Sequence, residues 1–179
     1  IFIIFFFNVN SNANNKENII NNLKNTKNFN FDFEQNINKK IEKGNCIIEY
    51  PKKIYCEYAG KNDKILVSNG KSLVIKSDKI NSYLRYSLKK TPLNLILDKK
   101  FIISKIYELK EDLDYPFYYV FDINVENIST KIFFDKKNLD LIGWETKDIY
   151  QNKVQTFISD IKKNIPVDNK IFIIRNYIN

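Results

Sequence analysis

The chain has no histidine and no methionine, and only two cysteines, four glycines and four prolines among its 179 residues. The missing histidine excludes serine or cysteine triads built on imidazole, zinc sites with histidine ligands and the usual general base near neutral pH. Two cysteines fall short of the four thiolates of an all-cysteine zinc site. No G-x-S-x-G, G-x-x-x-x-G-K-[ST] or G-x-G-x-x-G motif occurs, which removes the common hydrolase elbow, the phosphate loop and the dinucleotide fingerprint. The expectation is a protein without catalytic residues, metal or cofactor, and no carboxylate motif recommends an enzyme instead.

Arginine is scarce as well, confined to Arg85 and Arg175. The forked, bidentate contacts by which arginine reads phosphates and guanines are therefore largely missing. Lys+Arg of 29 against Asp+Glu of 21 gives a net charge of +8. The lysines are scattered in ones and twos, and isoleucine and asparagine are inflated alongside them, as an A/T-rich genome produces. Such a distribution reads as a solvated surface rather than a binding patch. Nucleic acid is not expected as a partner; a nucleic-acid binder would show steeply salt-dependent DNA binding.

No long hydrophobic run is present. Residues 1–7, IFIIFFF, are too few to span a bilayer. The polar NVNSNA that follows ends on the small residues Ser11-Asn12-Ala13, the pattern of an apolar core and cleavage site in a secretory signal. A buried first strand is the competing reading. The expected organisation is a signal remnant over 1–13 and one exported domain over 14–179, since the length supports a single sizeable core.

What the chain does have is 44% hydrophobic and 15% aromatic residues arranged in short periods. KENIINNLKNTK places Ile19, Ile20 and Leu23 at helical spacing over Lys16–Lys27. Phe29, Phe31 and Phe33 alternate with polar residues on one face of a strand. After a polar turn over Asn38–Gly44 comes GNCIIEYPKKIYCEY, Gly44–Tyr58, which reads as a hairpin about Pro51 with one apolar face. Lys64–Ser68 and Ser72–Lys76 flank Asn69-Gly70, residues that accept the positive φ of a tight turn. Lys79–Leu88 continues as a strand. Thr91-Pro92 then offers an N-cap and a first-turn proline to a short apolar helix carrying Leu93, Leu95, Ile96 and Leu97. Further strands are expected over 101–109, 117–125, 130–134, 139–146, 154–161 and 171–174. Strands at this spacing, separated by polar turns, predict about ten strands and two helices in an antiparallel barrel or curved sheet.

The order of these pieces resembles the LolA family of periplasmic carriers of outer-membrane lipoproteins, in the form common in α-proteobacteria. The matching pieces are Phe29…Phe33-Glu34-Gln35, Gly44 through Tyr50-Pro51 to Glu57-Tyr58, Val67-Ser68-Asn69-Gly70-Lys71, Tyr86-Ser87-Leu88…Thr91-Pro92-Leu93, Phe134-Asp135…Leu139…Trp144 and Asn164-Ile165-Pro166. Each is weak alone, and their order over most of the chain makes the match specific. The resemblance implies a mainly β fold: an unclosed antiparallel barrel of ten to eleven strands, its mouth covered by the N-terminal helix and the short inserted helix.

It also implies a function. The family shields lipoprotein acyl chains between an inner-membrane ABC exporter and an outer-membrane acceptor, so a monomeric periplasmic carrier is expected. The acceptor of similar fold is itself a lipoprotein, and no lipid-attachment cysteine follows the apolar run here. An interaction or sensor domain on the same fold is the alternative. The implied cavity lining is Phe29, Phe31, Phe33, Ile48, Ile54 and Tyr58, with Leu73, Ile75 and Trp144. The implied lid residues are Ile19, Ile20 and Leu23 on the first helix and Leu93, Leu95, Ile96 and Leu97 on the second. Ordinary core packing is the competing reading for both sets. Some family members carry an important arginine before the hairpin proline; Tyr50 stands there instead.

If Pro51 centres the turn, Ile48 faces Ile54 and Cys46 faces Cys56. An oxidising compartment would then permit a cross-strand disulfide. The alternatives are two buried thiols acting as small hydrophobes, or a one-residue register shift that separates them.

Overall fold

In the computed structural model, alternating apolar and polar residues become strands whose apolar face turns inward, because side chains two apart share one face of a pleated strand. The structure describes residues 11–60, 64–77, 79, 81–110, 115–125, 128–148 and 151–178, with side chains from Asn15 onward. The expected signal remnant lies largely outside the described residues, and the first helix, α1, runs Ser11–Asn25.

The strands are β1 (Asn28–Ile37), β2 (Lys40–Glu49), β3 (Lys53–Tyr58), β4 (Lys64–Asn69), β5 (Ser72–Ser77), β6 (Ser82–Ser87), β7 (Tyr118–Val125), β8 (Ile128–Asp135), β9 (Leu141–Lys147) and β10 (Lys153–Lys163). They form one sheet of ten strands in the order β6-β5-β4-β3-β2-β1-β10-β9-β8-β7. Every pairing is antiparallel. β6 and β7 are the free edges of this unclosed barrel. The chain passes from one edge to the other through α2 (Leu93–Ile96) and α3 (Lys99–Glu108).

Several expectations are corrected. Residues 101–109 are expected as a strand, but 101–108 are helical and Leu109 is the C-cap. The Asp98 side chain accepts from the Phe101 N–H at 3.1 Å, an N-cap, and Ile102 and Ile106, four residues apart, are both buried. The β-branched FIISKI run has strand composition, but its apolar spacing is helical. Residues 171–174 form 3₁₀ turns that lay Ile174 and Tyr177 over Val67, Val74 and Tyr55 on the outer face. The turn expected over Asn38–Gly44 is confined to Asn38-Lys39, both at positive φ, and Lys40 already belongs to β2. Thr91 does not cap α2. Its hydroxyl donates back to the Leu88 carbonyl at 2.8 Å.

Candidate functional site: an apolar concave face under helices

The hairpin register sets the concave face. Phe29, Ile48, Ile54, Ser68, Leu73 and Tyr86 lie opposite one another across six strands, forming one row. The next row is Phe31, Cys46, Cys56, Leu66, Ile75 and Leu84. Both rows are apolar save Ser68, and they emerge toward the β6 edge: Phe31 is fully buried, whereas Leu84 is 58% exposed. On the other side of β1, Trp144, Ile132 and Phe121 continue the face, and Trp144 meets Phe31 edge-on at 6.3 Å.

Cys46 and Cys56 are joined by a disulfide within the second row, Cα atoms 4.1 Å apart. Both sit inside the core, nearly inaccessible. At the hairpin's far end, Gly44 has no room for a side chain: a Cβ there would lie 2.0 Å from the Glu57 carbonyl oxygen and 2.7 Å from the Phe33 ring. The missing side chain lets Phe33 stack edge-on against Tyr58 at 4.9 Å.

All but one of the residues expected to form a lid pack into the cluster of this face. Ile19, Ile20 and Leu23 of α1, Leu95, Ile96 and the adjoining Leu97, and Ile102 and Ile106 of α3 are buried, and all but Leu95 belong to one cluster with the strand residues named above. Leu93 packs at its margin. The space left at the contact of Leu23 with Phe29, Phe134 and Leu141 is about 20 Å³, room for roughly one water. In this state the concave face is therefore occupied by the helices. The larger hollows, of about 770 and 510 Å³, are open grooves rich in polar side chains such as Asp32, Glu34, Lys43 and Glu42. Tyr58 borders both.

Polar contacts fix the helices unequally. α1 is tied to the β7–β9 side: Asn15 Nδ2 donates to the Tyr119 hydroxyl at 2.7 Å and Asn22 Nδ2 to the Asn138 carbonyl at 3.2 Å. The α2–α3 junction is held by the hairpin tip. The Lys52 N–H donates to the Leu97 carbonyl at 3.0 Å, and its ammonium lies 3.1 Å from the Asp98 carboxylate and 3.2 Å from Asn94 Oδ1. Lys99 Nζ donates to the Thr26 carbonyl at 2.7 Å and the Lys24 carbonyl at 3.2 Å, closing the C-terminus of α1.

Tyr50 sits at this junction, before the cis Pro51. Its ring packs 5.9 Å from Phe29, and the Lys99 ammonium approaches it at 5.4 Å. The Tyr50 hydroxyl is buried with no hydrogen-bond partner among the described residues. Burial first, and the neighbouring Asp98 carboxylate second, push its pKa up. At the opposite end, Gln35, Glu42, Tyr58 and Lys64 form a polar plug, with the Lys64 ammonium 3.7 Å from the Tyr58 ring. Partial burial works to raise the Glu42 carboxyl, but hydrogen bonds and charge from Lys40 and Lys64 outweigh it and hold the pKa below its ordinary value.

Sequence reasoning missed Ile102, Ile106, Phe121, Ile132, Phe134 and Ile158 of the same cluster. The spacing of Ile102 and Ile106 with an Asp four residues before the first could have revealed α3. The others lie on expected strands, and their facing follows from the alternation in YYVFDINV, STKIFF and VQTFIS.

An open antiparallel sheet with an apolar concave face, covered by a first helix and by two further helices that lead from one free edge to the other, defines an unclosed half-barrel. The family described as "Outer membrane lipoprotein carrier protein LolA" matches residues 24–175, and the chain belongs to that family. Solved structures share the fold at low identity. A putative outer membrane lipoprotein-sorting protein domain from Vibrio parahaemolyticus is 10% identical with a TM-score of 0.51, covering 93% of this chain and 99% of its own. An uncharacterised conserved protein from Thermus thermophilus is 6% identical with a TM-score of 0.54, covering 89% and 91%. No curated protein sequence matches the chain. Among the described residues no helix is long and apolar enough to cross a membrane, and no cluster of potential metal ligands occurs.

Proposed function

We propose that the protein is a periplasmic carrier that takes the acyl chains of lipoproteins onto its concave sheet face, collecting them from an inner-membrane ABC exporter and releasing them to an outer-membrane acceptor. One observation carries the reading: the apolar rows through Phe29 and Phe31 are covered by separate helical elements, not by the other half of a closed barrel. Family membership supplies the ligand class.

The energetics of release support it. A fully buried acyl chain of about sixteen carbons gains roughly 12 kcal/mol at about 0.8 kcal/mol per CH₂, too much for ready release. Entry here requires Leu95, Ile96, Leu97, Ile102 and Ile106, the buried apolar side chains of α2–α3, to leave their packed positions. At roughly 1.5–3 kcal/mol per apolar side chain, their burial amounts to about 7–15 kcal/mol, the same order as the ligand's gain. Exchange of lid contacts for ligand contacts is then close to balanced, which a carrier needs and a storage protein does not.

Delipidated protein should take up a fluorescent fatty acid, and mass spectrometry after periplasmic expression should find lipid or lipoprotein bound. Leu93→Ala with Leu95→Ala, which thins the lid at its margin, should tighten uptake. Well-folded protein that takes up no fatty acid and co-purifies with none would sink the proposal.

A further inference from the structure

The lysines that are scattered along the sequence are not scattered in space. The antiparallel order places the start of β1, the β2–β3, β4–β5 and β8–β9 turns, the end of β6 and the start of α3 at one end of the barrel. Exposed lysines project from almost every one: Lys24 and Lys27 before β1, Lys71, Lys89-Lys90, Lys100 and Lys137. None of these is ion-paired among the described residues. Among the described residues, the acidic side chains at the same end are already engaged. Asp98 pairs with Lys52, Asp140 with Lys163 and Glu49 with Lys53, while Asp135 accepts backbone N–H groups of its own turn. The opposite end is mixed, with Glu34, Glu42 and Glu145 paired to Lys43, Lys64 and Lys153.

We infer that this lysine-rimmed end docks on an anionic phospholipid surface, with the α2–α3 junction facing the headgroups. Three features favour a bilayer over an acidic protein. The charges encircle a whole end of the barrel, suiting a flat, diffuse field. They are lysines, point charges without the planar fork that gives arginine its specificity for individual partners. The rim also carries Phe117, 76% exposed and held beside the Lys136 turn by the Lys136 N–H donating to its carbonyl at 3.1 Å. An aromatic ring flanked by lysines is the side-chain pairing that favours a membrane–water interface.

The geometry adds a consequence. Both free edges of the sheet reach this rim, β6 through Lys89-Lys90 and β7 through Phe117, and α2–α3 bridges the gap between them. Docking therefore brings the junction clasped by Lys52 and Asp98 to the surface where acyl chains are embedded. The inference rests on the carrier reading for its purpose, but binding itself needs no cargo.

The test is co-flotation of the delipidated protein with vesicles of pure phosphatidylcholine and of phosphatidylcholine mixed with phosphatidylglycerol. Binding is expected only to the anionic vesicles and should disappear at high salt. At about 1 kcal/mol per lysine near such a surface, Lys89→Gln/Lys90→Gln/Lys100→Gln should weaken binding about a hundredfold at low salt. Lys39→Gln/Lys79→Gln/Lys147→Gln, three exposed lysines at the other end, removes the same charge and should change it little. Phe117→Ser should weaken the fraction of binding that survives moderate salt. Absence of binding to anionic vesicles, or equal weakening by the two triple variants, overturns the inference. Fatty-acid uptake on the same samples reads the carrier proposal separately.

Discussion

Removing the Cys46–Cys56 cross-link tests how far the concave wall depends on a covalent tie. The two cysteines are ten residues apart in sequence. Opening a loop of that size returns conformational freedom to the unfolded chain worth about 2.7 kcal/mol in the chain-entropy account. In wild-type protein, reduction leaves two thiols that still fill the row between Phe31 and Leu66, so the loss should be close to that figure. Cys46→Ala/Cys56→Ala also empties the space of two buried sulfur atoms and should cost about 1 kcal/mol more. For a chain of this length the combined loss corresponds to a melting point lower by roughly 7–15 °C. Urea unfolding of oxidised, reduced and double-alanine protein should thus give three separated midpoints in that order. Oxidised and reduced protein unfolding within about 0.5 kcal/mol of each other would refute the reasoning, as would two free thiols in denatured, unreduced protein.

Tyr50→Phe should leave stability unchanged or raise it by up to about 1 kcal/mol, because it removes a buried hydroxyl that has no partner; a clear loss in urea unfolding would show that the hydroxyl is satisfied. Asp98→Ala should cost about 1–2 kcal/mol through loss of the α3 N-cap and the half-exposed pair with Lys52, whereas Asp98→Asn keeps the cap and should cost less than about 1 kcal/mol. Hydrogen exchange should place both effects in α2–α3 rather than in the sheet. Glu42, whose folded pKa lies below its ordinary 4.5, contributes stability that is present above pH 4.5 and lost as pH falls through the folded value. The difference between wild type and Glu42→Gln in pH-dependent melting should therefore shrink on acidification, and a difference that grows would contradict the assignment.

The fold was largely legible because its strands obey period two and its turns carry Asn-Gly or polar clusters. The hairpin register followed from Pro51 alone: one residue of slip would have placed Cys46 and Cys56 on opposite faces. α3 was hidden because β-branched isoleucines dominate residues 101–106, and composition outweighed the four-residue spacing of Ile102 and Ile106. The occupied state of the concave face was not legible at all. Nothing in Phe29, Phe31 or Ile96 distinguishes a side chain that lines a cavity from one that fills it; only their shared cluster does. Charge misled in a different way. Lys71, Lys89, Lys100 and Lys137 are far apart in sequence, and only antiparallel topology, which returns every second turn to the same end, brings them together.

The helices over the concave face are attached asymmetrically, and this bears on how the face could be uncovered. α1 carries side-chain hydrogen bonds to Tyr119 and Asn138 along its length and buries Ile19, Ile20 and Leu23 in the core cluster. α2 is one turn long, and its junction with α3 is fixed to the sheet by one hairpin tip, through one backbone hydrogen bond, the half-exposed Lys52–Asp98 pair and the Lys52 hydrogen bond to Asn94. An ion pair that exposed is worth at most about 1 kcal/mol and weakens with salt. The concave rows are also already open toward β6, where Ile75 is half-buried and Leu84 projects into solvent. Displacement of α2–α3 away from the β4–β6 side, with α1 staying in place, breaks polar ties to the sheet at one residue, Lys52, together with the Lys99 bonds to the end of α1. That motion would expose Leu66, Leu73 and Ile75 first and the disulfide next, while the phenylalanines of β1 remain under α1. On the proposed carrier function, a first ligand contact on the β4–β6 half is what the distribution of contacts favours, and the polar plug of Gln35, Glu42, Tyr58 and Lys64 would set the depth beyond which an apolar chain gains nothing.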